Sequence, residues 1–216
     1  MKKHIVSFSG GKDSTAMLLK MLDLGMQIDE VVFGDTGLEF QELYDYVDRI
    51  ERFIKRPITR IRPDRTFFDW FFGAVTKGKH KGKMRGFPPQ NSHCYWSREV
   101  KEYALKRYCY GQYVYIGVAK DEEHRAKPHA KFTAMYPLVE WGWTEQNCLS
   151  YLKMRGLENP LYTHVSRLGC WLCPKQNLQS LRWLKSSKPE LFNLIIELEK
   201  SSPCRFRTGK TQLADL

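Results

Sequence analysis

The chain has 216 residues, 42% hydrophobic and 13% aromatic, a composition that fits a packed domain and excludes a disordered one. No apolar run approaches the roughly 18–20 residues of a membrane span, and the short one after Met1-Lys2-Lys3-His4 breaks at Ser7 and Ser9-Gly10-Gly11, so a cytoplasmic protein without signal peptide or membrane partner is expected. Lys and Arg number 35 against 24 Asp and Glu, a formal charge of +11 that points toward anionic, phosphate-bearing partners.

His4–Phe8 reads as a short buried strand and Ser9–Asp13 as a polar glycine turn. Ala16, Leu18, Leu19 and Leu22 then line a helix that stops near Gly25. Glu30–Gly34 is a second strand, followed by another polar turn at Asp35-Thr36-Gly37. Phe40, Leu43, Val47, Ile50 and Ile54 recur at spacings of three and four, which makes one apolar helix face. Ile58–Ile61 and Tyr113–Val118 are the third and fourth strands. Between them lie an aromatic segment (Phe67–Phe72), a basic stretch (Lys77–Arg85) and a helix expected from Ser97 to Tyr108. After Tyr136-Pro137-Leu138 the pattern turns helical: Thr144 caps a helix to Met154, and two more cover Leu178–Leu184 and Pro189–Lys200.

Strand–helix alternation of this kind predicts an α/β fold with a parallel sheet covered on both faces. Ligands of such sheets bind beyond the carboxyl ends of the strands, the edge on which both polar turns fall. The expected division is an α/β domain over residues 1–140 and a small helical region over 141–216. The basic stretch, Lys77-Gly-Lys-His-Lys-Gly-Lys-Met-Arg85, reads either as a solvated, mobile loop or as an arm that attracts nucleotide or nucleic-acid phosphates.

The first polar turn carries the sharpest signal. In Ser9-Gly10-Gly11-Lys12-Asp13-Ser14, consecutive glycines let backbone N–H groups converge on one centre without side-chain obstruction. The helix start adds partial positive charge, and Lys12, Ser9 and Ser14 add donors, so a pyrophosphate fits. The spacing is shorter than that of a Walker A loop, and Asp13 stands where that loop needs Ser or Thr for magnesium.

This string resembles the loop of the PP-loop ATP pyrophosphatases, and more closely that of the phosphoadenosine phosphosulfate reductase-like branch. Further similar segments follow in order: Asp35-Thr36-Gly37-Leu38-Glu39-Phe40, then Gly117-Val118-Ala119-Lys120-Asp121-Glu122-Glu123-His124-Arg125, then Tyr136-Pro137-Leu138-Val139-Glu140-Trp141, Asn159-Pro160-Leu161-Tyr162 and Arg167-Leu168-Gly169-Cys170-Trp171-Leu172-Cys173-Pro174. Ala119 stands where the family pattern has arginine. The resemblance implies an adenine nucleotide alpha hydrolase-like domain in which Ser9, Gly10, Gly11, Lys12, Asp13 and Ser14 hold phosphate, with Ser7 a further nucleotide-binding residue. It also implies Asp35, Thr36, Gly37 and Glu39 near the nucleotide and its reacting end, and Gly117, Glu122 and Arg125 closing over it. Members of this family either split ATP between its α- and β-phosphates or bind an adenylyl sulfate. Lys12, Asp13 and Asp35 are the expected catalytic residues, with Asp13 or Asp35 holding magnesium.

Six cysteines, at 94, 109, 148, 170, 173 and 204, point in a reducing compartment to metal or thiol chemistry. The spacing Cys170-x-x-Cys173 lets two thiolates meet one metal, although unligated core cysteines share it. The resemblance adds Cys94, before a helix containing Lys101, and Cys204 is the candidate fourth ligand. Four thiolates suit zinc or a 4Fe–4S cluster, and the family's sulfur-transfer members favour iron–sulfur. Cys109 and Cys148 are assigned no role.

Three functions are open at this level. The first is an ATP pyrophosphatase that activates a substrate, carried by tRNA or DNA, for sulfur from sulfide or a donor protein. The second is a thiol-dependent sulfonucleotide reductase, although the C-terminal Glu-Cys-Gly-Leu-His of those enzymes is missing. The third is a nucleotide-binding module without catalysis.

Overall fold

The computed structural model describes residues 1–90, 93–207 and 213–216, with Lys101 and Ala214 described for their backbone alone. In chain order the elements are β1 (His4–Phe8), α1 (Lys12–Asp23), β2 (Glu30–Gly34), α2 (Gln41–Ile54), β3 (Ile58–Ile61), α3 (Phe67–Phe71), α4 (Tyr95–Ser97), α5 (Leu105–Tyr108), β4 (Tyr113–Ile116), β5 (Thr133–Met135), α6 (Pro137–Glu140), α7 (Glu145–Met154), α8 (Leu178–Ser187) and α9 (Pro189–Ser201). The helix expected from Ser97 starts at Tyr95, and a π-helical stretch, Arg98–Ala104, separates α4 from α5.

Two compact units interleave along the chain. The first takes Met1–Asp35, Gln41–Ile61 and Tyr103–Pro160; the second takes Thr36–Phe40, Arg62–Glu102 and Leu161–Leu216. This alternating division differs from the single cut after residue 140 expected above: Phe71 of the aromatic segment packs through Phe87 on Phe206, near the end of the chain.

In the first unit the strands form one sheet in the order β3-β2-β1-β4-β5, with every neighbouring pair parallel. The order runs outward from β1 to β3 and then resumes on the other side of β1 with β4, so the topological switch lies between β1 and β4. Apolar side chains of β1, β2 and β4 (Ile5, Val32, Val114) make the core with Cys109. Helix α1 packs on β1 and α7 and is buried continuously from Ser14 to Leu19. It stops as expected: Gly25 takes a left-handed φ of 62°, and Met26 N and Gly25 N donate back to Met21 O and Leu22 O, a Schellman closure. Tyr46 of α2 is buried and donates its hydroxyl to Leu157 O. Strand β4 ends two residues earlier than expected, at Ile116, while β5 and α6 were too short for a periodicity to show.

The second unit is built on rings. Helix α3 opens with a capping box between Thr66 and Asp69, which aims Phe67 and Phe71 inward. Phe71 meets Phe87 edge-on at 5.0 Å between centroids, and Phe87 meets Phe206 in the same way at 5.0 Å. Helices α8 and α9 pack against each other. Phe87→Ala, which empties the centre of this stack, should cost about 3–5 kcal/mol by denaturant unfolding. A loss below 1 kcal/mol would show that these rings are not the unit's core.

Candidate functional site

The turn after β1 occupies the sheet's switch point. Gly10 adopts φ 72°, in the left-handed region, and a Cβ there would lie 2.5 Å from Leu43 Cδ1. Helix α1 begins immediately afterwards with Gly11 as N-cap and no side-chain capping bond. Its first turn therefore lacks the side-chain oxygen that usually occupies such a position. The polar side chains brace the turn from within: Ser14 Oγ accepts from Ser9 N (3.1 Å), lies 2.9 Å from Ser9 Oγ and donates to Gly11 O, and Thr15 Oγ1 also donates to Gly11 O.

Two distant residues lock this conformation. The buried Asn159 donates from Nδ2 to Gly10 O at 3.0 Å. Gly117, just past β4, runs so close that a Cβ would lie 2.8 Å from both the N and Cα of Ser14. A backbone contact of this kind cannot relax through a side-chain rotamer, so position 117 requires glycine. Ser7 lies within β1, paired with Val32 and Ile116.

Lys12 Nζ donates to Asp13 Oδ2 (3.1 Å) and sits 2.8 Å from Glu145 Oε1, at the start of α7. The Asp13 carboxyl is pushed above the ordinary carboxylate range, chiefly by burial, partly opposed by Lys12 and reinforced by Glu145 and Glu122. Its Oδ1 is buried with no hydrogen-bond partner in reach. Asp35, at the end of β2, is fully buried and accepts from the Tyr44 hydroxyl at 2.7 Å. Glu122 and Arg125, expected over the nucleotide, form an ion pair with each other on the 3-10 turn Lys120–Arg125. Asp121 in that turn accepts from Glu145 N, which seats the turn on α7. Ala119 is fully buried, so an arginine at that position would have no room.

The remaining expected residues belong to the second unit. There Thr36 donates to the buried Glu39 (2.9 Å) and accepts from Leu38 N, while Gly37 has φ 71°. Cys170 Sγ lies 3.5 Å from Thr36 Oγ1, and Trp171 N donates to Leu38 O, tying the Cys-x-x-Cys segment to Thr36–Phe40. Cys94, Cys170 and Cys173 line one cavity of about 370 Å³ together with Thr36, His93 and Lys175. Cys94 N-caps α4, its sulfur accepting from Ser97 N. Cys204 is exposed and outside that lining, yet Tyr95 feels both it and Cys94: burial first, then the Cys94 charge and, more weakly, the Cys204 charge push the Tyr95 phenol up. Burial pushes Cys173 up as well. Three thiols on one wall are a donor set suited to a thiophilic metal. Among the described residues, however, no three His, Cys, Asp or Glu side chains are gathered at metal-holding distances. The side chain of Lys101 lies outside the described residues.

The family model for the phosphoadenosine phosphosulfate reductase domain matches residues 3–176, from the strand before the glycine turn to just past the Cys-x-x-Cys pair. The chain belongs to this family. Proteins similar to it include an uncharacterised protein of Methanocaldococcus jannaschii, 29% identical over 88% of this chain and 40% of its own length. A second from the same organism is 30% identical over 90% of this chain and 47% of its own length. The chain thus spans less than half of these two relatives. An adenosine 5'-phosphosulfate reductase of Staphylococcus haemolyticus is 27% identical over 86% of this chain and 78% of its own. Two solved structures share the fold. One is the phosphoadenylyl-sulfate reductase of Candida auris (TM-score 0.58, 14% identity, 79% of this chain and 82% of that one). The other is the U34-tRNA thiolase of Methanococcus maripaludis with its 4Fe–4S cluster (TM-score 0.51, 17% identity, 94% of this chain and 68% of that one).

Sequence reasoning gave no role to Glu145, Asn159 or Cys148. Asn159 stood in a recognised segment, but a buried amide shows its partner only in three dimensions. Cys148, on α7, is fully buried, and burial followed by the Asp13 charge pushes its thiol up to about 12; burial takes Cys109 up to about 11. Neither forms thiolate near neutrality. Iodoacetamide at pH 8 should therefore modify Cys204 first and leave Cys109 and Cys148 unmodified until the chain is denatured, as read by peptide mass spectrometry. Labelling of Cys148 as fast as Cys204 would contradict the packing of α7 on α1.

Proposed function

We propose that this chain binds ATP at the Ser9–Ser14 turn and releases AMP and pyrophosphate while activating a substrate for sulfur transfer. The observation that carries this reading is the uncapped start of α1 behind the left-handed Gly10, with Lys12 at the first helical position. Backbone N–H groups and the helix dipole there favour a pyrophosphate, and the ammonium can exchange a carboxylate for it.

In this reading a substrate oxygen attacks the α-phosphorus, the bond to the β-phosphate oxygen breaks, and pyrophosphate leaves into the glycine turn. Lys12 and the turn stabilise the charge that grows on the leaving group. The Oδ1 of Asp13, buried without a partner, is an acceptor that magnesium would satisfy, whereas Asp35 is already bonded to Tyr44. Gly117 keeps the first turn of α1 in place, and Glu122 and Arg125 would part to meet the nucleotide.

Cys94, Cys170 and Cys173, joined by Cys204, would hold a 4Fe–4S cluster or zinc; when bound, the cluster supplies a thiophilic site for the incoming sulfur. The sulfur comes from sulfide or a donor protein, and the acceptor is carried on a nucleic acid. The exposed thiol of Cys204 supports the second reading, a sulfonucleotide reductase, in which that thiol attacks the sulfur of an adenylyl sulfate, the S–O bond breaks to release AMP, and an external dithiol reduces the resulting cysteine S-sulfonate to free the thiol and sulfite.

Calorimetry should show ATP and pyrophosphate binding that Lys12→Ala abolishes; unchanged affinity in the variant would reject the turn as the phosphate site. Sulfite release from adenylyl sulfate, lost in Cys204→Ser, would establish the reductase in place of the pyrophosphatase. Anaerobic purification followed by iron, zinc and sulfide analysis should find metal that Cys170→Ser loses. A fully loaded variant would end the cysteine-ligated centre.

A further inference from the structure

The basic stretch is laced by backbone hydrogen bonds. Ala74 and Met84 form an antiparallel bridge, Val75 N donates to Lys83 O, and Gly82 N donates back to Val75 O, each at 2.8 Å. Arg85 N to Gly73 O and Gly86 N to Phe71 O continue the lacing below. Lys81 N to Gly78 O and Lys83 N to His80 O fold the tip. Gly78 and Gly82 supply the left-handed conformations the tip needs, at φ 81° and 83°. The result is an ordered hairpin-like arm that presents Lys77, Lys79, His80, Lys81 and Lys83, all exposed.

Three features separate this arm from an ordinary solvated charge run. There is no acidic residue between Asp69 and Glu99, and among the described residues none of the four lysines has a carboxylate partner. The second unit carries 18 Lys and Arg against 9 Asp and Glu, so +9 of the chain's +11 resides there. Aromatic surface flanks the arm: Phe72, immediately before its first limb, is 54% exposed. At its foot the Arg85 guanidinium sits 4.7 Å from the Trp70 ring centroid and 5.3 Å from that of Tyr95, whose hydroxyl donates to Gly86 O.

Exposed cations spaced along a backbone-laced arm beside an exposed ring match a phosphodiester backbone with unstacked bases. We propose that this arm docks an unpaired stretch of a nucleic-acid strand, with Lys77, Lys79, Lys81 and Lys83 on its phosphates and Phe72 stacking one base. The proposal deepens the reading of a nucleic-acid-borne acceptor and rests on it. Tyr95, which anchors the arm's foot, directly follows Cys94, so a strand held there lies beside the cysteine cavity of the same unit.

Fluorescence anisotropy on the whole chain tests it with labelled 12-nucleotide oligouridylate, oligothymidylate and a 12-base-pair duplex, without ATP. The single strands should bind more tightly than the duplex. The double reversal Lys79→Glu/Lys81→Glu should weaken binding at least 10-fold and reduce the slope of log affinity against log salt by about 1.4, roughly 0.7 per lost phosphate contact. Phe72→Ala should weaken it about 10-fold with the salt slope unchanged. Preference between the two single strands identifies RNA or DNA as the source. Equal affinity for heparin or anionic phospholipid vesicles with Phe72 without effect, tighter binding of the duplex, or full affinity in the charge-reversed variant would each overturn the proposal. Both variants should keep the ATP affinity of the parent, so failure here and failure of the phosphate turn give different results.

Discussion

A sharp turn between β1 and α1 is the constraint on which the first unit depends. It must reverse the chain within three residues while leaving the start of α1 without a side-chain cap. Only a residue without Cβ accepts the φ of Gly10 against Leu43, and only a glycine lets the end of β4 run against Ser14. The strand order follows the same need, since placing β4 beside β1 brings Gly117 to the first turn of α1 and opens the switch-point crevice at that place. Asn159, far along the chain, closes the lock on Gly10 O. The turn is therefore held from both sides before any ligand arrives, which is what a preorganised anion socket requires.

Charge and sulfur are distributed unevenly between the two units. The first is nearly balanced, with 17 basic and 15 acidic residues, and its two cysteines, Cys109 and Cys148, are buried, which raises their thiols. The second holds most of the positive charge and the four cysteines with access to a cavity or to solvent. Burial separates inert thiols from available ones on purely physical grounds, because a low-dielectric surrounding disfavours the thiolate. Lys12 illustrates the complementary case: its ammonium is placed between the carboxylates of Asp13 and Glu145.

Much of the architecture was legible because it is encoded locally. Alternating strands and amphipathic helices named the first three strands, α1, α2, α7 and the parallel sheet, and Thr144 marked its helix start to the residue. The misses are the elements with too little local signal: β5 and α6 have three and four residues, and the π-helical stretch gives no distinct period. The basic stretch was ambiguous for a related reason. Charge and glycine describe both a solvated loop and a laced arm, and the choice lies in backbone bonds between limbs that composition does not reveal.

By itself the sequence determined the glycine turn, its lysine, the Cys-x-x-Cys pair and the family to which they belong, since each is a short string whose chemistry depends on neighbouring residues. Tertiary structure alone decided that Glu145 reaches Lys12, that Asn159 holds Gly10, and that Thr36 meets Cys170. It also decided that the chain divides by interleaving, because Phe71, Phe87 and Phe206 share one core. These contacts join residues roughly 100 or more positions apart in several cases. Their geometry is set by how elements pack, a quantity that no local pattern carries.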